Sequence, residues 1–128
     1  MVKREKVLII DDDPIVKEST ADWLKTAGYD VITHDNAMGS SRIILRDRPQ
    51  YVLVDVMMPG MSGDELVKML QQHVIVNDPN IKFILYSSRD KLLLENHVRK
   101  ANAVGAIQKT RNRDDFLAEF QALTNKAG

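Results

Sequence analysis

The sequence predicts a doubly wound α/β fold, with a five-stranded parallel sheet and helices on both faces. Three observations carry this. Short unbroken apolar runs, Val7–Ile10, Tyr51–Val54 and Phe83–Tyr86, have the character of strands covered on both sides. Stretches with the period of an amphipathic helix separate them. Strand and helix patterns alternate along the whole chain, five of each, and that alternation calls for parallel crossovers.

The elements follow in order. Val7–Ile10 opens the sheet. Asp13 then stands where an N-cap belongs, with Pro14 at the first helical position. Val16, Thr20, Trp23, Leu24 and Ala27 fall on one face of that helix, and Gly28 ends it. Tyr29–Thr33 alternates apolar and polar, as an edge strand does. A weaker helix is expected over Ala37–Arg46, stopping before Pro49. Tyr51–Val54 is a buried strand that runs into Asp55. Ser62 and Glu65 form a capping box, S-x-x-E, for a helix that turns Leu66, Met69 and Leu70 inward. Phe83–Tyr86 ends on Ser87 and Ser88. Lys91–Ala101 reads as a helix closed by Asn102, which tolerates the left-handed conformation. Ala106–Gln108 is a short last strand ending on Lys109, and Phe116, Phe120 and Leu123 stripe a final helix.

Bulk properties narrow the function. A chain of 128 residues is one domain by length, so residues 1–128 are expected to form a single unit. The apolar share of 44% and charged share of 28% are ordinary for a soluble globular protein. Zero formal net charge gives no global electrostatic case for nucleic acid or an anionic membrane. With no cysteine, disulfides and thiolate metal sites are excluded. The start, MVKREKVLII, is neither a signal peptide nor a spanning helix, so a cytoplasmic location is expected.

The run VLIIDDDP at 7–14 poses the chemical question, because adjacent carboxylates repel and burial raises the cost of ionising them. In open α/β sheets ligands sit beyond the carboxyl ends of the strands. Strands here end on Asp11 and Asp12, on Asp55, on Ser87 and on Lys109. The topology thus gathers three carboxylates, a hydroxyl and an ammonium at one sheet edge. Clustered carboxylates suit a hard cation bound through oxygen, and Mg²⁺ is the natural candidate. A metal, a carboxylate, a lysine and a hydroxyl together suit phosphoryl transfer onto a carboxylate.

At these residues the chain resembles the receiver domains of two-component response regulators, the CheY-like family. The matching pieces are IIDDDP (9–14), DVMMPGMSG (55–63), YSS (86–88) and GAIQK (105–109), in order and at strand ends. The second is the most specific, reproducing the family's D-x-x-M-P-x-M-x-G run. The resemblance implies the flavodoxin-like, CheY-like strand order 2-1-3-4-5. It implies that Asp55 is the phospho-acceptor, phosphorylated by a sensor histidine kinase or a phosphotransfer protein with Mg²⁺ as cofactor. Asp12 would bind the metal directly and Asp11 largely through water, with Asp55 and the backbone carbonyl of Met57 completing the sphere. Asp13 falls outside the acidic pair. Ser87 resembles the switch hydroxyl, and Lys109 the lysine that pairs with the phosphoryl group. Such a domain is not an enzyme beyond its own phosphorylation and dephosphorylation. It would switch a surface around its last two helices that binds an output protein or output domain. Direct nucleic-acid or membrane binding is not expected, and a monomer or weak homodimer is.

Two departures stand out. The family usually carries a cis proline after the lysine, where this chain has Thr110. A non-proline cis bond costs about 3 kcal/mol, so a trans peptide and an altered loop are expected. Ala106 occupies the position of the family's aromatic switch residue, which removes the usual ring swing, and Tyr86 is read as a buried strand tyrosine rather than its substitute. By the same resemblance, the positions of Met57 and Arg89, two residues beyond the acceptor and the switch serine, tune how fast the phosphate hydrolyses, and neither residue is suited to orienting an attacking water. A long-lived phosphoryl state is expected.

Other residues read as structural. His34, His73 and His97 lack metal-ligand spacing and are expected at the surface without a role; Trp23 is expected in the core. Met57, Met58 and Met61 read as loop packing, and Arg111–Arg113 as a solvated loop. Three function classes compete for this residue set. A haloacid-dehalogenase-type phosphatase wants an aspartate two positions after its nucleophile, where this chain has Met57. A flavodoxin-type phosphate loop would be repelled by three aspartates. A phosphorylation-independent, receiver-like binding module is the alternative to the switched signalling domain. The sequence leaves open a stand-alone receiver and a receiver excised from a longer regulator.

Overall fold

The computed structural model describes residues 4–75, 78, 80–110 and 112–125. The elements are β1 (Lys6–Ile10), α1 (Pro14–Thr26), β2 (Asp30–His34), α2 (Ser40–Asp47), β3 (Tyr51–Asp55), α3 (Gly63–His73), β4 (Lys82–Ser87), α4 (Lys91–Ala101), β5 (Gly105–Gln108) and α5 (Arg113–Asn125). All strand pairs are parallel, in the order β2-β1-β3-β4-β5. The fold class read from the sequence and the strand order implied by the resemblance are those observed.

Alternation along the strands divides the core into two layers. Leu8, Ile10, Val52, Val54, Phe83 and Leu85 join Ile44, Leu66, Leu70 and Leu94 of α2, α3 and α4 on one face. Val7, Ile9, Leu53, Ile84, Tyr86 and Ile107 meet Leu24, Phe116 and Phe120 of α1 and α5 on the other. β3 is buried along its whole length because it lies at the sheet centre.

Local signals account for most boundaries. Asp13 caps α1, accepting from Ile15 N and Val16 N at 3.0 and 3.2 Å, with Pro14 in the first turn. Ser62 and Glu65 complete the capping box of α3. Asn102 closes α4 in the left-handed conformation. β2 is an edge strand, shifted one residue along from the expected range.

Several expectations need correction. α2 starts at Ser40 rather than Ala37, because Gly39 takes a left-handed φ of 86° that a helix cannot contain. Ala27 is exposed, since the chain has already begun to leave α1. Trp23 is half-buried at the margin of the core, 5.7 Å from the Phe116 ring. Met57 does not pack in its loop: it is 54% exposed, while Met58 is buried and Met61 half-buried. Of the basic run 111–113, Arg111 lies outside the described residues, and Arg113 is exposed beside Asp114.

Candidate functional site

The five polar residues named from strand ends lie at the ends of β1, β3, β4 and β5. Asp11 follows β1 and stays in its ladder, its N–H donating to the His34 carbonyl at 3.0 Å. Asp55 is the last residue of β3, and Ser87 the last of β4. Lys109 follows β5, with its N–H donating to the Ser87 carbonyl at 2.7 Å. The described residues contain no cis peptide bond, so Thr110 follows Lys109 in the expected trans form. With threonine after it, the lysine still stands at the site.

The Lys109 ammonium reaches both buried carboxylates. Its Nζ lies 2.8 Å from Asp11 Oδ2 and 3.4 Å from Asp55 Oδ2. Asp11 is fully buried, Asp55 only 4% exposed, and Asp12 faces solvent. Backbone donors hold the other carboxylate oxygens: Asp13 N donates to Asp11 Oδ1 at 2.9 Å, and Met57 N to Asp55 Oδ1 at 3.1 Å. Burial pushes the Asp55 carboxyl up to about 6, and the Asp11 charge adds to the rise, while Lys109 and the Met57 N–H oppose it.

The loop after β3 is shaped by a close approach. Gly63 N donates to the Val56 carbonyl at 3.0 Å, and a Cβ on Gly63 would stand 2.3 Å from the Asp55 carbonyl oxygen. Only glycine lets α3 begin so near the end of β3. Ser87 Oγ accepts the Arg89 N–H at 3.2 Å, so the hydroxyl is directed by its own loop.

The residues fit a divalent cation. Asp11, Asp12 and Asp55 each offer an oxygen, and these atoms all lie within 4.8 Å of one another. Asp11 Oδ2 is buried and is met by the lysine ammonium at 2.8 Å. An all-oxygen, carboxylate-rich donor set of this kind suits Mg²⁺.

Two contacts escaped the sequence reading. His97, read as a surface residue without a role, places Nδ1 3.1 Å from Asp64 Oδ2 and so ties α4 to the first turn of α3. The partners lie 33 positions apart, and no local pattern announces them. Tyr86, under the Lys109 ammonium, is the other. Ala106 borders a cavity of about 450 Å³ between α4 and α5, with Val98 and Leu123 among its lining.

Comparison with known proteins agrees with this geometry. The family described as response regulator receiver domain matches residues 7–121. The chain is 28% identical over 125 residues to the phosphate regulon transcriptional regulatory protein PhoB of Pseudomonas aeruginosa, covering 95% of this chain and 52% of that protein. It is 28% identical over 103 residues to sporulation initiation phosphotransferase F of Bacillus subtilis, covering 80% of this chain and 77% of that one. The chain spans about half the length of several transcriptional and response regulators it matches, and about a quarter of another. Its fold is similar to a CheY-like receiver domain protein from Methanospirillum hungatei, with a TM-score of 0.81 and 26% identity over 98% of this chain and all of the other.

Proposed function

The chain belongs to the response regulator receiver domain family, and from that we propose that it is a signalling module switched by phosphorylation of Asp55. The observation that carries the proposal is the convergence of Asp55, Asp11 and the Lys109 ammonium within 2.8 to 3.4 Å at one sheet edge. The donor is a phosphohistidine on a histidine kinase or phosphotransfer protein. Its N–P bond breaks as an Asp55 carboxylate oxygen bonds to phosphorus, and the imidazole leaves. The Asp55 carboxylate is largely ionised at neutral pH even with its raised value of about 6, so it can attack.

Asp11, Asp12, Asp55 and the Met57 carbonyl would hold Mg²⁺. When bound, the ion supplies positive charge against the oxygens of the transferring group. Lys109 adds its ammonium to the same oxygens, and the Met57 N–H fixes the acceptor carboxylate. Ser87 then turns from the Arg89 N–H toward the new phosphoryl oxygens and biases a surface around α4 and α5 that binds its output partner. The domain performs no chemistry beyond its own phosphorylation and dephosphorylation, and residues 1–128 act as one unit in the cytoplasm. Among the described residues, no helix is long and apolar enough to cross a membrane.

The test is intact mass after incubation with acetyl phosphate and Mg²⁺, for the wild type and Asp55→Asn. One added phosphoryl group, abolished by EDTA and by the substitution, is the expected result. An unmodified wild type that nonetheless binds Mg²⁺ would overturn the proposal in favour of a phosphorylation-independent binding module.

A further inference from the structure

We propose that Tyr86 is a positioning residue for Lys109, its ring serving as the platform that keeps the ammonium over the acidic cluster. The inference rests on the reading of Asp55 as phospho-acceptor and Lys109 as its counter-charge. Lys109 Nζ lies 5.5 Å from the centroid of the Tyr86 ring, within the range of a cation–π contact. The ring is 1% exposed, so water does not weaken that contact. It stands in register with Asp55 on β3 and with Ile107 on β5, between the acceptor strand and the strand that leads to the lysine.

The ring is itself fixed at its far end. Tyr86 Oη and Thr20 Oγ1 share a hydrogen bond of 2.9 Å. The Phe116 ring meets it edge-on, with centroids 5.6 Å apart. Burial pushes the Tyr86 hydroxyl up to about 12, with the Asp11 charge adding and the Thr20 bond opposing, so the ring stays neutral throughout the working range.

A neutral platform solves a specific difficulty. The other holds on the ammonium are Asp11 and Asp55, and both are engaged by the reaction. Both are candidate metal ligands, and Asp55 becomes an acyl phosphate when phosphoryl arrives. Their pull on the lysine therefore changes along the reaction, whereas the π face does not. A leucine would fill the same buried strand position but leave the four-carbon stem of Lys109 to the changing carboxylates alone.

Tyr86→Phe, Tyr86→Leu and Thr20→Val test this, with folding checked by thermal melting. In the metal-free wild type, NMR should place the Lys109 Cε protons upfield of those of the other lysines through the ring current. Tyr86→Phe should keep that shift and a near-wild-type rate of phosphorylation by acetyl phosphate. Tyr86→Leu should lose the shift and react about tenfold more slowly, whereas Thr20→Val, which removes the same hydrogen bond as Tyr86→Phe and keeps the ring, should behave like Tyr86→Phe. An unshifted Lys109 in the wild type would overturn the inference even if Tyr86→Leu did not fold. So would a Tyr86→Leu that reacts at the wild-type rate, or a Tyr86→Phe that is as slow as the leucine variant. A wild type that takes no phosphoryl group at all, with the lysine still shifted, would instead sink the reading of Asp55.

Discussion

Asp55 carries a cost that its neighbours only partly relieve. Its carboxyl stands at about 6 against an ordinary value of 3.8, chiefly through burial. Between those values the folded protein holds a proton that the unfolded chain has released. Stability of the metal-free protein therefore falls as pH rises through that window, and the full cost is present at neutral pH. Asp55→Asn removes the charge and keeps an acceptor for the Met57 N–H. Urea denaturation should find the variant more stable by on the order of 1–2 kcal/mol at pH 7.5, with the gain vanishing toward pH 4. A variant less stable than wild type at pH 7.5 would mean that the Lys109 pairing outweighs desolvation. A second expectation concerns the lifetime of the phosphorylated state. The Met57 side chain is 54% exposed, and Arg89 is also exposed; neither is suited to aim a water at phosphorus. The phosphoryl group on Asp55 should persist well beyond seconds, as loss of the phosphoryl mass over time will show. A half-life of seconds would defeat that expectation. The cluster itself was legible in the sequence, because parallel topology alone sends Asp11, Asp55, Ser87 and Lys109 to one edge. The ring beneath the lysine was not, since the contacts that hold Tyr86 depend on Thr20, 66 positions away.

At the scale of elements, glycine contacts decide how closely helices approach the site. A Cβ at Gly63 would meet backbone, 2.3 Å from the Asp55 carbonyl oxygen and 2.9 Å from Val56 Cα. Backbone at the end of a central strand has no freedom to yield. Gly63→Ala should therefore cost about 3 kcal/mol or more and slow phosphorylation, because relief requires moving the loop that presents the Met57 N–H to Asp55. At Gly105 the nearest atom is Leu123 Cδ2 at 2.5 Å, the tip of a flexible side chain. Gly105→Ala should cost about 1 kcal/mol and leave acetyl phosphate kinetics unchanged. Paired melting curves and phosphorylation rates separate the two cases, and equal losses in both variants would refute the distinction. The start of α3 could be read from Ser62 and Glu65 because a capping box is a local pattern. The start of α2 could not, because the left-handed Gly39 that delays it depends on backbone conformation rather than on periodicity. The His97–Asp64 tie between α3 and α4 was equally hidden, since it forms only once those helices are packed.

At the scale of the whole molecule, a cation bound at the acidic edge would couple metal binding to folding. Two buried carboxylates share one lysine, and the exposed carboxylate of Asp12 lies beside them, so the folded state carries uncompensated negative charge that a cation would neutralise. A ligand that binds only the folded form at one hundred times its Kd adds about 2.7 kcal/mol. For a domain of this size that corresponds to a rise in Tm of about 10 °C. Thermal melts with Mg²⁺ should show a rise of this order, reversed by EDTA. The informative variant is Asp12→Asn. Asp12 is solvent-exposed, so its substitution leaves the core and the Lys109 pairs intact, unlike a change at Asp11. It should melt close to the wild type without metal and lose most of the Mg²⁺-induced rise. An undiminished rise in Asp12→Asn would place the stabilising cation elsewhere on the molecule. An absent rise in the wild type at millimolar Mg²⁺ would mean that Lys109 alone balances the cluster, and that the ammonium, rather than a metal, is what allows three aspartates to share the end of one sheet.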